Sequence, residues 1–199
     1  MLTIVVSSVP SDGPLVTEVV AAARAGLKEV DDVRTYSSAK PDEHLVAVVA
    51  RSPGGEQPAS TGQIYDALRG IGLEPIVAAG VLRASREGAD RAGTPGRSLF
   101  VVPFALDEHQ RQEIERFYEE EHESILLEAP DWLRVSRYAV TSCHGAGWTD
   151  VVVHDLASVK VLESPEVRRS QSTEWRQRLG GEAYFTSEPR YLLDQTDAT

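Results

Sequence analysis

The order of secondary-structure signals restricts this chain more than any single residue does, because one six-element order is readable twice along it. Residues 2–9 (LTIVVSSV) are short and β-branched, as a strand requires. After a turn at Pro10–Gly13, Val16, Val19, Val20, Ala23, Leu27 and Val30 recur at helical spacing, with Pro14 suited to a first turn. Strands follow at 33–38 and 45–50, then a Pro/Gly-rich loop at 52–60, a helix at 61–69 ended by Gly70 and Gly72, and a strand at 76–82. The polar stretch 85–97, with three glycines and a proline, reads as a linker between units 1–84 and 98–199. The order then restarts. A strand at 99–105 leads to a helix at 108–129 behind the N-cap Asp107. Next come a strand at 132–141, a loop at 142–148, a strand at 150–156, a helix at 164–179 stopped by Gly180-Gly181, and a strand at 183–193.

A β-α-β-β-α-β order is the ferredoxin-like arrangement, and here it recurs at a spacing of roughly 95 residues. Each unit makes a four-stranded sheet with helices on one face, so the other face needs a cover, and the sister unit is the nearest. The expected fold is therefore α+β: two tandem ferredoxin-like repeats packed sheet to sheet as an α+β barrel. The alternative is two unrelated α+β units in tandem. Such a barrel implies a monomer with an internal pseudo-dimer, or a homodimer.

Composition narrows the partners. A net charge of −11 opposes nucleic acid, whose phosphates require basic patches, and disfavours anionic membranes. With 41% hydrophobic and 26% charged residues the chain suits a soluble globular protein. One cysteine, Cys143, rules out an intrachain disulfide, and the first residues lack the basic start of a signal peptide. These features lead us to expect a cytoplasmic protein. Paired histidine spacings such as HExxH are missing, so no metal is expected. The loop 52–60 lacks the Lys-Ser/Thr of a phosphate loop.

The second half carries Phe117-Tyr118, Glu121-His122, Leu126-Leu127, Pro130, Leu133 and Arg137-Tyr138, then Glu163-Ser164-Pro165 and Trp175. This pattern resembles the dimeric α+β barrel superfamily, and within it the EthD-like proteins; the first half matches only in element order. The resemblance implies a cavity between sheet and helices for small, often aromatic or polyketide-like molecules. It covers cofactor-independent monooxygenases, polyketide cyclases and dehydratases, lactone isomerases and haem-binding enzymes.

At about 100° per residue, Ile114, Tyr118, Ile125 and Ala129 share a helical stripe that includes His122 or borders it. An imidazole there is a candidate general base or acid, or else a hydrogen-bonded core histidine. Glu121 is placed to orient His122 or to pair with Arg134 or Arg137. Strand periodicity sets Trp132, Arg134, Ser136 and Tyr138 on one face, aiming Tyr138 and Arg134 into the barrel. There they would stabilise negative charge on a substrate, or serve as a cross-strand aromatic and a salt bridge. His154, in phase with Val152 and Leu156, lines a cavity or fills core. Trp175 shares a helix face with Gln171. The adjacent Cys143-His144 pair has no third member to orient it and is set aside.

The expected function is cofactor-free proton transfer on a polyketide-like or aromatic substrate, of cyclase or dehydratase type. His122, Tyr138 and Arg134 would be catalytic, and Tyr118, Glu121, Trp132, His154 and Trp175 would contact substrate. A cofactor-independent monooxygenase and a non-catalytic ligand-binding barrel are the alternatives, and haem binding a further option.

Overall fold

The computed structural model describes residues 1–9, 14–27, 32–40, 43–52, 61–89, 91, 94 and 96–196. Eight strands form one closed antiparallel barrel: β1 (Leu2–Ser8), β2 (Asp32–Ser38), β3 (Leu45–Arg51), β4 (Ile76–Glu87), β5 (Ser98–Phe104), β6 (Trp132–His144), β7 (Asp150–Leu156) and β8 (Tyr191–Gln195). Around the barrel the order is β1-β3-β2-β8-β5-β7-β6-β4. The first four strands thus stand as β4-β1-β3-β2 and the last four as β8-β5-β7-β6.

The two sets meet edge to edge, not by face contact alone. One seam pairs β2 with β8 from Tyr36↔Gln195 to Ser38↔Leu193. The other pairs β4 with β6 from Val77↔His144 to Glu87↔Arg134. Hydrogen-bonded closure leaves no open sheet edge along these seams. It occurs within one chain. At Gly80 the β4 backbone approaches β6 so closely that a Cβ would sit 2.8 Å from the Ala139 carbonyl oxygen, which suits glycine to the register shift there.

Strand alternation sorts side chains into layers. Leu2, Ile4, Leu99, Val101, Val151 and Val153 fill the barrel interior. Val5, Val46 and Val48 turn outward under α1 (Pro14–Gly26) and α2 (Thr61–Gly70). Val102, Phe104, Val152 and Leu156 turn outward under the helices of the second half. These are α3 (Glu108–Phe117), a π-helical turn (Tyr118–His122), α4 (Glu123–Leu126), a 3₁₀ turn (Val159–Glu163), α5 (Pro165–Gln171), α6 (Glu174–Gly180) and α7 (Ala183–Thr186). Among the described residues no helix is long and apolar enough to cross a membrane.

Several expected boundaries move. Strand β4 continues through Ser85, Arg86 and Glu87, which their polar composition assigns to a linker; pairing with β6 holds them extended. The helix expected at 164–179 breaks at Ser172, where the Thr173 side chain caps α6 by accepting from the Arg176 N–H. Residues Ala183–Thr186 are helical, so the last strand starts only at Tyr191. Cys143 and His144 end β6 rather than opening a loop. The turn at 10–13, the end of the first expected helix at 28–30 and the loop at 53–60 lie outside the described residues.

One ionic cluster spans the barrel. Asp155 on β7 is 1% exposed and accepts from Arg51 of β3 at 2.8 and 3.1 Å. It also accepts from Arg134 at 2.9 Å, and Arg134 reaches Glu87 at 3.4 Å. Removing the shared carboxylate strands two partly buried cations. Asp155→Ala is therefore expected to lower the unfolding free energy by ~3 kcal/mol, read from urea titration, because an unpaired buried charge costs more than the pair contributes.

Candidate functional site

The site starts at the Asp107 cap. Its side chain accepts from the Gln110 N–H at 2.9 Å while the Gln110 side chain accepts from the Asp107 N–H at 3.0 Å, a reciprocal cap that starts α3. Ten residues on, the helix widens: the Glu123 N–H donates to the Tyr118 carbonyl, five residues back. In a regular α-helix positions five apart lie about 140° apart around the axis. Here the π turn stacks Phe117 and His122, with ring centroids 4.6 Å apart and planes 26° apart. Tyr118 meets His122 edge-on at 5.3 Å.

The wider turn also shifts the helical phase of the residues beyond it. Leu126, 1% exposed, takes the buried position that regular spacing assigns to Ile125, which is half-buried. Arg137 is held by Glu119 at 2.7 Å and Glu123 at 3.1 Å, not by Glu121. Burial raises the Glu123 carboxyl pKa while the Arg137 charge opposes the rise. Glu121 pairs with neither Arg134 nor Arg137, and its buried Oε1 has no hydrogen-bond partner among the described residues.

On the sheet, a register shift between Trp132 and Arg134 breaks the expected alternation. Trp132 turns toward the helices together with Val135, whereas Tyr138 packs in the barrel interior and Arg134 joins the Asp155 cluster. The Trp132 Nε1–H donates to His154 Nδ1 at 3.2 Å, which places the remaining proton of a neutral His154 on Nε2.

These groups meet at a cavity of about 100 Å³ between sheet and helices. Phe100, Val102, Trp132 and His154 line its sheet side, and Tyr118, His122 and Leu126 its first helical wall. Leu162, Val167, Gln171, Phe185, Arg176 and Arg190 complete it. Liners grade from His154, 1% exposed, to the exposed Gln171, so the mouth lies on the side of α5. A tetrapyrrole is far larger than this space, so the residues present do not fit haem.

Electrostatics follow from enclosure. Burial, and then the charges of Arg176 and Arg190, push His122 down to about 3. His154 is pushed well below its ordinary value by burial, then by His122 and Arg190. Burial likewise raises the Tyr118 phenol. At neutral pH the cavity thus presents two neutral imidazoles and a neutral phenol. His122 Nδ1 is buried without a hydrogen-bond partner among the described residues, an uncompensated cost that protein cores seldom carry.

Of the residues singled out from sequence, His122, Tyr118, Trp132 and His154 come together. Arg134 and Tyr138 lie on the far side of the sheet from His122, where strict alternation also places them, and the shift instead brings Trp132 to the helix side. Trp175 packs on Phe117 at 5.9 Å and borders a separate groove with Arg116 and Arg178. Phe185, Arg176 and Arg190 escape the sequence patterns. The break at Ser172 resets the phase that would have shown Arg176, and 183–193 reads as strand.

Neither a family model nor a curated protein matches the sequence. Solved structures do. An anthrone oxidase-like protein aligns over 98% of this chain and 91% of its own, at 14% identity and a TM-score of 0.60. A mutant chlorite dismutase from Candidatus Nitrospira defluvii aligns over 98% and 92%, at 12% identity and 0.56. A monooxygenase-like protein from Listeria innocua aligns over 100% and 96%, at 6% identity and 0.52. At these identities the likeness is one of fold, the α+β barrel.

The depressed histidines set an acid limit on stability. An unfolded histidine binds its proton from about pH 6.5 downward, whereas folded His122 does so only near 3. Between these values the unfolded state holds more protons, so acidification favours it. As the pH falls from about 6.5 to 5 we expect the unfolding free energy to fall through His122 with a slope that steepens toward about 1.4 kcal/mol per pH unit, and His154 adds to the fall in the same direction. The slope in His122→Asn should be shallower by the His122 share in urea titrations.

Proposed function

We propose that the chain is a small-molecule enzyme in which His122 takes a proton from a ring-sized phenol or enolisable ketone. The observation that carries this reading is the buried, neutral His122, whose Nδ1 no described residue engages, on the wall of an enclosed aromatic-lined cavity. A ring nitrogen left without a partner on the cavity wall meets the geometric requirement for a general base, that it reach the proton it takes. Phe100, Trp132 and Phe185 offer faces and edges for a flat ring. A volume near 100 Å³ suits a single ring, on the scale of the ~150 Å³ cavity that holds benzene elsewhere.

Oxygenation without a cofactor is the reaction we favour. Deprotonation of a 1,4-dihydroxybenzene by His122 makes an electron-rich ring whose carbon can bond to O₂. The resulting peroxide recovers the proton, the ring C–H proton leaves, and the O–O bond breaks. One oxygen stays on the ring and the other departs as water, so C₆H₆O₂ and O₂ give C₆H₄O₃ and H₂O, with every electron supplied by the substrate. The anthrone oxidase-like and monooxygenase-like names of the structural relatives agree with this choice. A dehydration must also protonate a departing hydroxyl, and the lining has no carboxylic acid and no protonated histidine to do so among the described residues. In this reading residues 1–84 are a ferredoxin-like repeat and residues 98–199 a second, EthD-like one, and the site belongs to the second repeat alone.

The test is oxygen uptake with substituted 1,4-dihydroxybenzenes. His122→Ala is expected to lower the rate by roughly 10²–10⁴-fold, the usual share of a general base, while the thermal midpoint stays within a few degrees. Substrate C–H exchange with D₂O in the absence of oxygen uptake would replace oxygenation by isomerisation or cyclisation. Neither activity in any substrate that binds would make the cavity a binding site only.

A further inference from the structure

Arg176 and Arg190 have no place in the proton-transfer argument, yet among the described residues they are the only ionised side chains lining the cavity. Both lie over one ring: the Arg176 guanidinium carbon is 4.7 Å and that of Arg190 5.2 Å from the Phe185 centroid. Arg190 donates one hydrogen bond, to the Phe185 carbonyl at 3.1 Å. For the Arg176 guanidinium no hydrogen-bond acceptor stands among the described residues, and neither arginine has a carboxylate within ion-pair distance there. Both are half-buried. Elsewhere the acidic chain readily pairs its half-buried arginines, as Arg51, Arg111 and Arg134 demonstrate.

Two like charges facing one small cavity repel each other, and burial together with Arg190 depresses the Arg176 pKa. Stacking on Phe185 accounts for their orientation and for part of their stability. It leaves in-plane N–H donors, which is the geometry that matches a carboxylate. An exposed Gln171 at the mouth adds an uncharged donor.

We propose that Arg176 and Arg190 form an anion clamp, so that the substrate of this site is a ring-sized aromatic acid whose carboxylate sits at the mouth and whose ring enters toward His122 and His154. This deepens the preceding reading and rests on it for the chemistry, though not for the binding. The clamp also accounts for how so weak a base could act. The two cations help to keep His122 a weak base in the empty cavity; a bound carboxylate offsets them and raises its proton affinity as the ring arrives.

Binding without turnover tests the clamp. Anaerobic titration calorimetry would compare 2,5-dihydroxybenzoate with neutral 1,4-dihydroxybenzene, with Trp132 fluorescence as a second signal because that ring lines the cavity. The acid should bind the wild type more tightly. Arg176→Met and Arg190→Met should each weaken the acid by roughly 10–100-fold, the range of a charged hydrogen bond, and leave the neutral compound within about threefold. Arg176→Lys, which keeps the charge, should retain the preference for the acid. Equal affinity for the two compounds in the wild type, or equal weakening of both in the Met and Lys variants alike, would overturn the clamp. A wild type that prefers the acid yet shows no turnover would overturn the chemical reading and leave the clamp standing, whereas turnover without that preference would do the reverse.

Discussion

The rest of the structure depends on backbone pairing across the two seams, β2 with β8 and β4 with β6. Each set of four strands has one face covered by helices and one left bare, and two edges with unpaired N–H and C=O groups. Closing both seams satisfies the edges and encloses the bare faces in one step. The interior then takes Leu2, Ile4, Leu99 and Val153 from both halves as a single core. Asp155 adds a point of register, since Arg51 and Arg134 reach it from different strands across the enclosed space. The cavity that His122 and His154 line lies not in this interior but in the outer layer, between the sheet and the helices that lie on it.

In that outer layer the two halves diverge. The first is covered by α1 and α2, whose Val19, Ala23, Ile64 and Leu68 pack directly on the sheet. The second is covered by shorter, interrupted helices carrying rings and arginines. A π turn at Tyr118–His122, a register shift at Trp132 and a break at Ser172 each depart from regular geometry, and all three bear on the same cavity. Irregularities of this kind cost stability and persist where surrounding packing enforces them. The enclosure they create removes charge from His122 and His154 and leaves Arg176 and Arg190 as the cations facing it.

The fold and the site are legible in the sequence where local chemistry and pattern agree. Asp150–Leu156 is a continuous apolar run about His154 and Asp155, and it forms a strand at the expected bounds. Asp107 stands where the sequence predicts an N-cap and does cap the helix. Tyr118, His122 and His154 stand out on helix and strand phase, and they share a cavity with Trp132, which the register shift turns toward it. The errors fall where phase changes. Periodicity from Glu108 onward assumes about 100° per residue, and one widened turn exchanges Ile125 for Leu126. Alternation from Trp132 assumes a flat pleat, and one shifted residue turns Trp132 to the helix side while Tyr138 and Arg134 keep the barrel face that alternation assigns them. Helix propensity from Ser164 to Leu179 hides Thr173 as a cap, and with it the side on which Arg176 stands.

The sequence by itself determined the element order, the α+β class and the residues able to carry proton chemistry, because these depend on neighbours within a few positions along the chain. Tertiary structure alone decided which of those residues meet. The π turn, the shifted register and the seam pairings are set by contacts between segments far apart in sequence, and no local period encodes them. The same holds for the electrostatics. A histidine in isolation titrates near neutrality; burial under Phe117 and proximity to two arginines, one on α6 and one just before β8, hold His122 neutral.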